Sequence, residues 1–178
     1  MVDSKLIETE RLTLRPLSLA DAPAMQSLAS DREVASGTMS MPHPYPAGEA
    51  ERWIGMMLER ERAAFAITLR STDTFMGAIG LVHHPEQLYA EMGYWLGKSY
   101  WNQGYATEAV AAVLKYAFEE LKLNRVYAGH FKRNPASGRV LEKIGMTYEG
   151  CLRQHVVKWG VLEDLVQYGI LREEYQPQ

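Results

Sequence analysis

The chain has 178 residues, 47% of them apolar and 23% charged, with a formal net charge of -3. That length suits one domain over residues 1–178. The acidic balance disfavours nucleic acid as the main partner, and a lone cysteine, Cys151, excludes an internal disulfide and points to a reducing cytoplasm.

The opening "MVDSKLIETERLTL" lacks the apolar run of a signal peptide, and no window approaches ~18 uninterrupted apolar residues, so no membrane partner is expected. "RLTLRPL" alternates apolar Leu12 and Leu14 with polar neighbours and predicts a strand. In "SLADAPAMQSLAS", Ser18 and Asp21 have capping-box spacing, so a helix is expected from there, with Pro23 in its first turn. Pro42, Pro44 and Pro46 stand at alternate positions and rule out regular structure, leaving a loop whose His43 and Tyr45 can line a cleft. Trp53, Met56, Met57 and Arg60 then recur at helical spacing, with the Met pair read as core filling.

Three strand-like runs follow, "AAFAITLR", "FMGAIGLVHH" and "YAEMGYWLG", close enough to form an antiparallel meander. A long helix is expected from Gly104 to Leu123, with Ala106, Val110, Val113, Ala117 and Leu121 on one stripe. "NRVYAGHF" predicts a strand. "NPASGRVLEKIGM" predicts a short helix with Asn134 as N-cap, Pro135 at its first position and Gly145 as its stop. The remainder reads as a hairpin turning near Trp159-Gly160. The order β, α, α, βββ, α, β, α, ββ argues for one mixed sheet with helices on its faces.

Two stretches between the meander and the long helix compete as phosphate sites. Gly97-Lys98-Ser99 has the ending of a P-loop, but the first glycine should then fall at position 92, which is Met92. A P-loop phosphotransferase is therefore disfavoured, and Lys98 reads as a solvated loop residue. Gln103 to Thr107 is better placed: Gly104 permits close backbone approach, and the unpaired N–H groups of a helix start lie directly after it. A plainer reading, in which Gly104 only permits the turn and Thr107 only caps, fits the same residues.

"YWNQGYATEA" resembles motif A of the GCN5-related N-acetyltransferases (GNAT), in the form of the branch named for the ribosomal-protein acetyltransferases RimJ and RimL. "ETERLTLRPL", "AEMGYWLG" and "NPASGRVLEKIGM" resemble other segments of that branch, in the same order. The resemblance implies an α/β (α+β) fold: a single mixed, mostly antiparallel sheet, splayed near its centre, with helices on both faces. It implies acetyl-CoA as cosubstrate and no metal. The acceptor would be an amine, either a protein N-terminus or a small molecule. By resemblance, main-chain amides of Gln103, Gly104, Tyr105, Ala106 and Thr107 hold the pyrophosphate. Trp95, Leu96 and Gly97 pair with the pantetheine arm, and Asn134 joins the cofactor-binding set. Dimerisation, common in this branch, is a further expectation.

Two positions depart from the general family pattern. Trp101 stands where many relatives have Gln or Arg, and Leu141 stands where many carry an acid tyrosine seven residues after the Asn. In this branch the suggested substitute is the serine three after the Asn, here Ser137, for which a plain helix-surface role is the competing reading. Acetyl transfer also needs a neutral amine. Glu91, on one strand face with Gly93 and Trp95, is the preferred base, although a solvent-facing charge reads equally from the residues. His83, His84, His130 and His155 are further titratable groups, without zinc spacing. The missing tyrosine keeps open an alternative, a catalytically silent CoA-binding or partner-binding module.

Overall fold

The computed structural model describes residues 6–59 and 63–176. Arg60, expected to continue a helical stripe, and the first five residues of the chain start lie outside them. The strands are β1 (Ile7–Glu8), β2 (Leu12–Pro16), β3 (Ala63–Leu69), β4 (Phe75–His84), β5 (Tyr89–Leu96), β6 (Arg125–Phe131), β7 (Thr147–Lys158) and β8 (Val161–Leu171). The helices are α1 (Ala22–Ala29), α2 (Arg32–Gly37), α3 (Glu49–Glu59), α4 (Tyr105–Glu119) and α5 (Pro135–Lys143). The strands form one sheet in the order β1-β2-β3-β4-β5-β6-β8-β7, antiparallel throughout except between β5 and β6.

The period-two pattern assigns the faces. Leu12, Leu14, Phe65, Ile67, Met92 and Leu96 pack on α4, whose Ala109, Val110, Val113, Leu114 and Ala117 are all buried. Burying each of the larger ones contributes roughly 1.5–3 kcal/mol. The opposite face carries Ala64, Ala66, Phe75 and Trp95 against α1 and α3, where Ala50, Ile54 and Met57 recur at helical steps. The expected helices on both faces are present.

Local differences have local causes. Ser18 and Asp21 do form a capping box, but around a 3-10 turn, Leu19–Asp21, and the α-helix begins only at Ala22 with Pro23 in its first turn. Buried Asp21 is spent on a two-pronged ion pair with Arg15 of β2, at 2.8 and 2.9 Å. Helix α2 was not anticipated. Its Asp31 side chain accepts from the N–H groups of Glu33 and Val34, a cap that six helical residues barely advertise. β1, only two residues long, was also missed. Asn134 occupies the N-cap position of α5, but its side chain accepts no capping bond, which corrects that expectation. Trp159 and Gly160 take φ of 49° and 81°, the two left-handed residues that a tight hairpin turn needs.

One position in β4 tolerates no side chain. A Cβ at Gly77 would lie 2.1 Å from the Trp95 carbonyl oxygen, a main-chain atom that cannot step aside. Gly77→Ala is therefore expected to cost about 3 kcal/mol, read as a lower denaturation midpoint at unchanged slope. Among the described residues no helix is long and apolar enough to cross a membrane, and no group of three or more His, Cys, Asp or Glu could hold a metal.

Candidate active site

Strands β5 and β6 pair only at Tyr89–Arg125, Ala90–Val126 and Glu91–Tyr127. Past that vertex β5 follows β4 as far as Leu96, while β6 follows β8 as far as Phe131. Each strand has its outer edge satisfied, so the inner edges part at no cost to those ladders and leave a wedge-shaped slot.

Hydrogen-bond alternation decides which main-chain groups face the slot. The Gly97 N–H donates to the Met76 carbonyl at 2.8 Å, and the Trp95 carbonyl also points at β4, beside Gly77. By alternation Met92, Tyr94 and Leu96 turn their N–H and C=O groups toward β6. Of the three residues expected to pair with an extended arm, Leu96 faces the slot, while the Trp95 main chain and the Gly97 N–H are committed to β4 and the Gly97 carbonyl to the Tyr100 N–H. At the slot's wide end the Trp101 indole N–H donates to the Leu96 carbonyl at 2.8 Å.

Beyond Trp101 the chain turns into α4. Asn102 and Gly104 both take left-handed backbone, φ 59° and 83°. No side chain caps the helix, and Glu108 is the first residue whose N–H returns to the turn, on the Gly104 carbonyl at 3.1 Å. The N–H groups of Gly104, Tyr105, Ala106 and Thr107 meet no protein acceptor among the described residues, and the loop is exposed. Thr107 therefore does not act as a cap. Four donors at the positive end of a fifteen-residue helix make an anion site. Lys98, by contrast, is exposed and ion-paired with Glu33, as the failed P-loop spacing requires.

A clamp from the chain start braces this loop. Glu108 accepts from the Thr9 hydroxyl at 2.6 Å, the Arg11 N–H at 2.8 Å and the Arg11 guanidinium at 2.7 Å. The same guanidinium donates to the Gln103 carbonyl at 2.9 Å and lies 4.5 Å over the Tyr105 ring. The Gln103 carbonyl is thus held away from the anion site. Nothing local in the sequence joins Arg11 to Glu108, 97 positions apart, and both were missed. Burial pushes the Glu108 carboxyl up, but the bonds from Thr9 and Arg11 outweigh it and hold the group below its ordinary value. A depressed carboxyl contributes stability that is complete above the unfolded-state pKa and is lost as pH falls through the folded one. Glu108→Gln should flatten the acid side of the stability curve below about pH 4.5, read from denaturation midpoints across pH.

Two polar pairs flank the slot. At its vertex the Tyr127 hydroxyl donates to Glu91 Oε2 at 3.3 Å, and burial together with the Glu91 charge raises the Tyr127 phenol. Glu91 shares its face with Trp95 and lies opposite the α4 side. On the α4 side the Tyr94 hydroxyl meets Ser137 Oγ at 2.8 Å, joining β5 to the first turn of α5. Leu141, at the position of the absent tyrosine, is fully buried core. The Asn134 amide lies against Gly37 at the end of α2. The proline-rich loop is fastened to the last hairpin: buried Lys158 donates to the Met41 carbonyl at 2.6 Å, and His43 packs on Trp159 at 5.7 Å. Burial and the Arg133 charge push the Lys158 ammonium down to about 8. A cavity of about 780 Å³ begins at Gly104 and Thr107 and follows Ala111, Ala112 and Lys115 along α4; neither Glu91 nor Ser137 lines it.

Residues 11–147 match the family model described as the acetyltransferase (GNAT) domain. The chain is 34% identical over 172 residues to "Uncharacterized N-acetyltransferase p20" of Bacillus licheniformis, covering 94% of this chain and 96% of that one. It is 40% identical over 87 residues, 49% of this chain and 48% of the other, to YdaF of Bacillus subtilis, named as a candidate ribosomal N-acetyltransferase. A GNAT-family acetyltransferase structure from Bacillus anthracis superposes with a TM-score of 0.87 at 29% identity, covering 96% of this chain and 100% of the other.

Proposed function

Because this chain belongs to the GNAT acetyltransferases, enzymes that move an acetyl group from acetyl-CoA to an amine, we propose that its acceptor is a weakly basic primary amine, with a protein N-terminal α-amine as first choice and a small amine as second. The observation that carries this reading is the junction of two features: a slot between β5 and β6, and an uncapped helix head at its wide end. A diphosphate fits the N–H groups of Gly104 to Thr107, with Gln103 beside them held by the Arg11 brace. An extended amide-bearing arm fits the main chain of Met92, Tyr94 and Leu96 by strand-like pairing. Asn134, in the turn between β6 and α5, is assigned to the cofactor-binding set by the family resemblance alone. The whole chain acts as one transferase unit in this reading.

The chemistry divides among this chain's own groups. Glu91, at the vertex, takes the proton of the attacking amine. Slot-facing N–H groups of β5 polarise the thioester carbonyl. Ser137 faces the departing sulfur and stabilises it by a hydrogen bond. An α-amine, pKa near ~8, is substantially neutral at physiological pH, whereas a lysine amine near ~10.4 is not. One carboxylate with a single tyrosine partner suits the weaker base. Exposed Val157, Val161 and Leu162 on the last hairpin support pairing of two copies of the chain.

The test is CoA release from acetyl-CoA with a panel of N-terminal peptides, small amines and an N-terminally blocked lysine peptide. Turnover confined to free α-amines is the expected result. Turnover on the blocked lysine peptide alone would overturn the acceptor choice. CoA binding without turnover on any amine would favour the silent module.

A further inference from the structure

Serine is a poor acid, because an aliphatic hydroxyl holds its proton far more firmly than a thiol does. Ser137 can therefore serve a departing thiolate only as an aimed hydrogen-bond donor, and a serine hydroxyl rotates freely unless something holds it. The structure supplies the holder. Tyr94 sits at the middle of the slot-facing stretch of β5, and its hydroxyl crosses to α5. There it lies 2.8 Å from Ser137 Oγ and 3.3 Å from the Ser137 carbonyl. Its ring packs against the α4-side core, which fixes where the hydroxyl reaches. Burial pushes the Tyr94 phenol up to about 12, so it keeps its proton throughout the working pH range.

We infer that Tyr94 is the positioning residue of the acetyl-transfer step: its hydroxyl donates to Ser137 Oγ and so turns the serine's own O–H into the slot, toward the sulfur of CoA. No proton changes hands between Tyr94 and Ser137. With the single phenol proton on Oγ at 2.8 Å rather than on the more distant Ser137 carbonyl at 3.3 Å, the tyrosine occupies one acceptor lone pair of Oγ and the serine proton has no partner on that side. This rests on the acetyl-CoA reading of the slot. It gives the tyrosine of "EMGYWLG" a task distinct from the acid tyrosine many relatives carry on α5, where this chain has Leu141.

The experiment compares affinities for CoA and desulfo-CoA by titration calorimetry over roughly pH 7 to 9.5, bracketing an ordinary thiol pKa near ~8.5. A donor aimed at sulfur favours the thiolate, so the preference for CoA over desulfo-CoA should grow with pH, by about tenfold for each unit the bound thiol is lowered. Tyr94→Phe, which keeps the ring, should flatten that growth, as should Ser137→Ala. Ser137→Thr, which keeps a hydroxyl, should retain it. In the Ser137→Ala background Tyr94→Phe should change nothing further, since the group it acts through is gone. A parental pH dependence in Tyr94→Phe, or an added loss in the double variant, would overturn the inference. If the parent binds CoA but its preference does not vary with pH, Ser137 does not face the sulfur, and the inference fails while the CoA site stands. If the parent does not bind CoA at all, the reading of the slot fails with it.

Discussion

Gly104→Val is expected to leave a folded protein whose affinity for CoA falls at least about a hundredfold, which corresponds to about 2.7 kcal/mol. Gly104 holds φ 83° and ψ -4°, and its missing Cβ would lie 3.2 Å from Arg11 Nη2. A β-branched residue in left-handed backbone costs roughly 1–2 kcal/mol or more. That is a fraction of the ~5–15 kcal/mol by which domains are ordinarily stable, so the fold survives and the turn yields instead. Rotating it to negative φ re-aims the N–H groups of Gly104 and Tyr105. A hydrogen bond to a charged group is worth roughly 1.5–3 kcal/mol, so losing one or two accounts for the deficit. Calorimetric titration with CoA checks affinity, and circular dichroism checks the fold. Parental affinity in a folded variant would place the diphosphate elsewhere.

Glu91→Gln is expected to lower turnover of an α-amine acceptor by about a hundredfold at neutral pH, within the range for loss of a general base, with CoA affinity held. The glutamine keeps an oxygen for the Tyr127 hydroxyl, so the vertex of the slot stays closed. Without the carboxylate the amine must shed its proton to solvent. The variant's rate should then climb with pH until the acceptor's own pKa, near ~8 for an α-amine. Steady-state rates from pH 6.5 to 9.5 test this. Turnover within about threefold of the parent at every pH would return Glu91 to the role of a solvated strand charge.

Several pieces of the fold are written locally and were legible as such. Leu12 and Leu14 alternate, the α4 stripe runs at helical steps, and Trp159-Gly160 marks a hairpin. Each depends on residues a few positions apart, as do the misplaced P-loop glycine and the glycine before α4. The short pieces were harder. β1 has two residues and α2 six, too few for a period to declare itself, and Asn134 has the capping residue type without making the bond.

The sequence by itself determined the order of elements, the amphipathic stripes and the left-handed glycine that opens α4, because neighbouring residues set all of these. It also carried the family resemblance, through four collinear segments. Only the tertiary structure decided which main-chain groups of β5 face the slot, because that depends on hydrogen-bond phase against β4, not on residue type. It alone brought Arg11 onto Glu108, 97 positions away, and Tyr94 onto Ser137, 43 positions away. Such pairs arise from how separate segments cross, and a side chain's chemistry is indifferent to the length of chain between it and its partner.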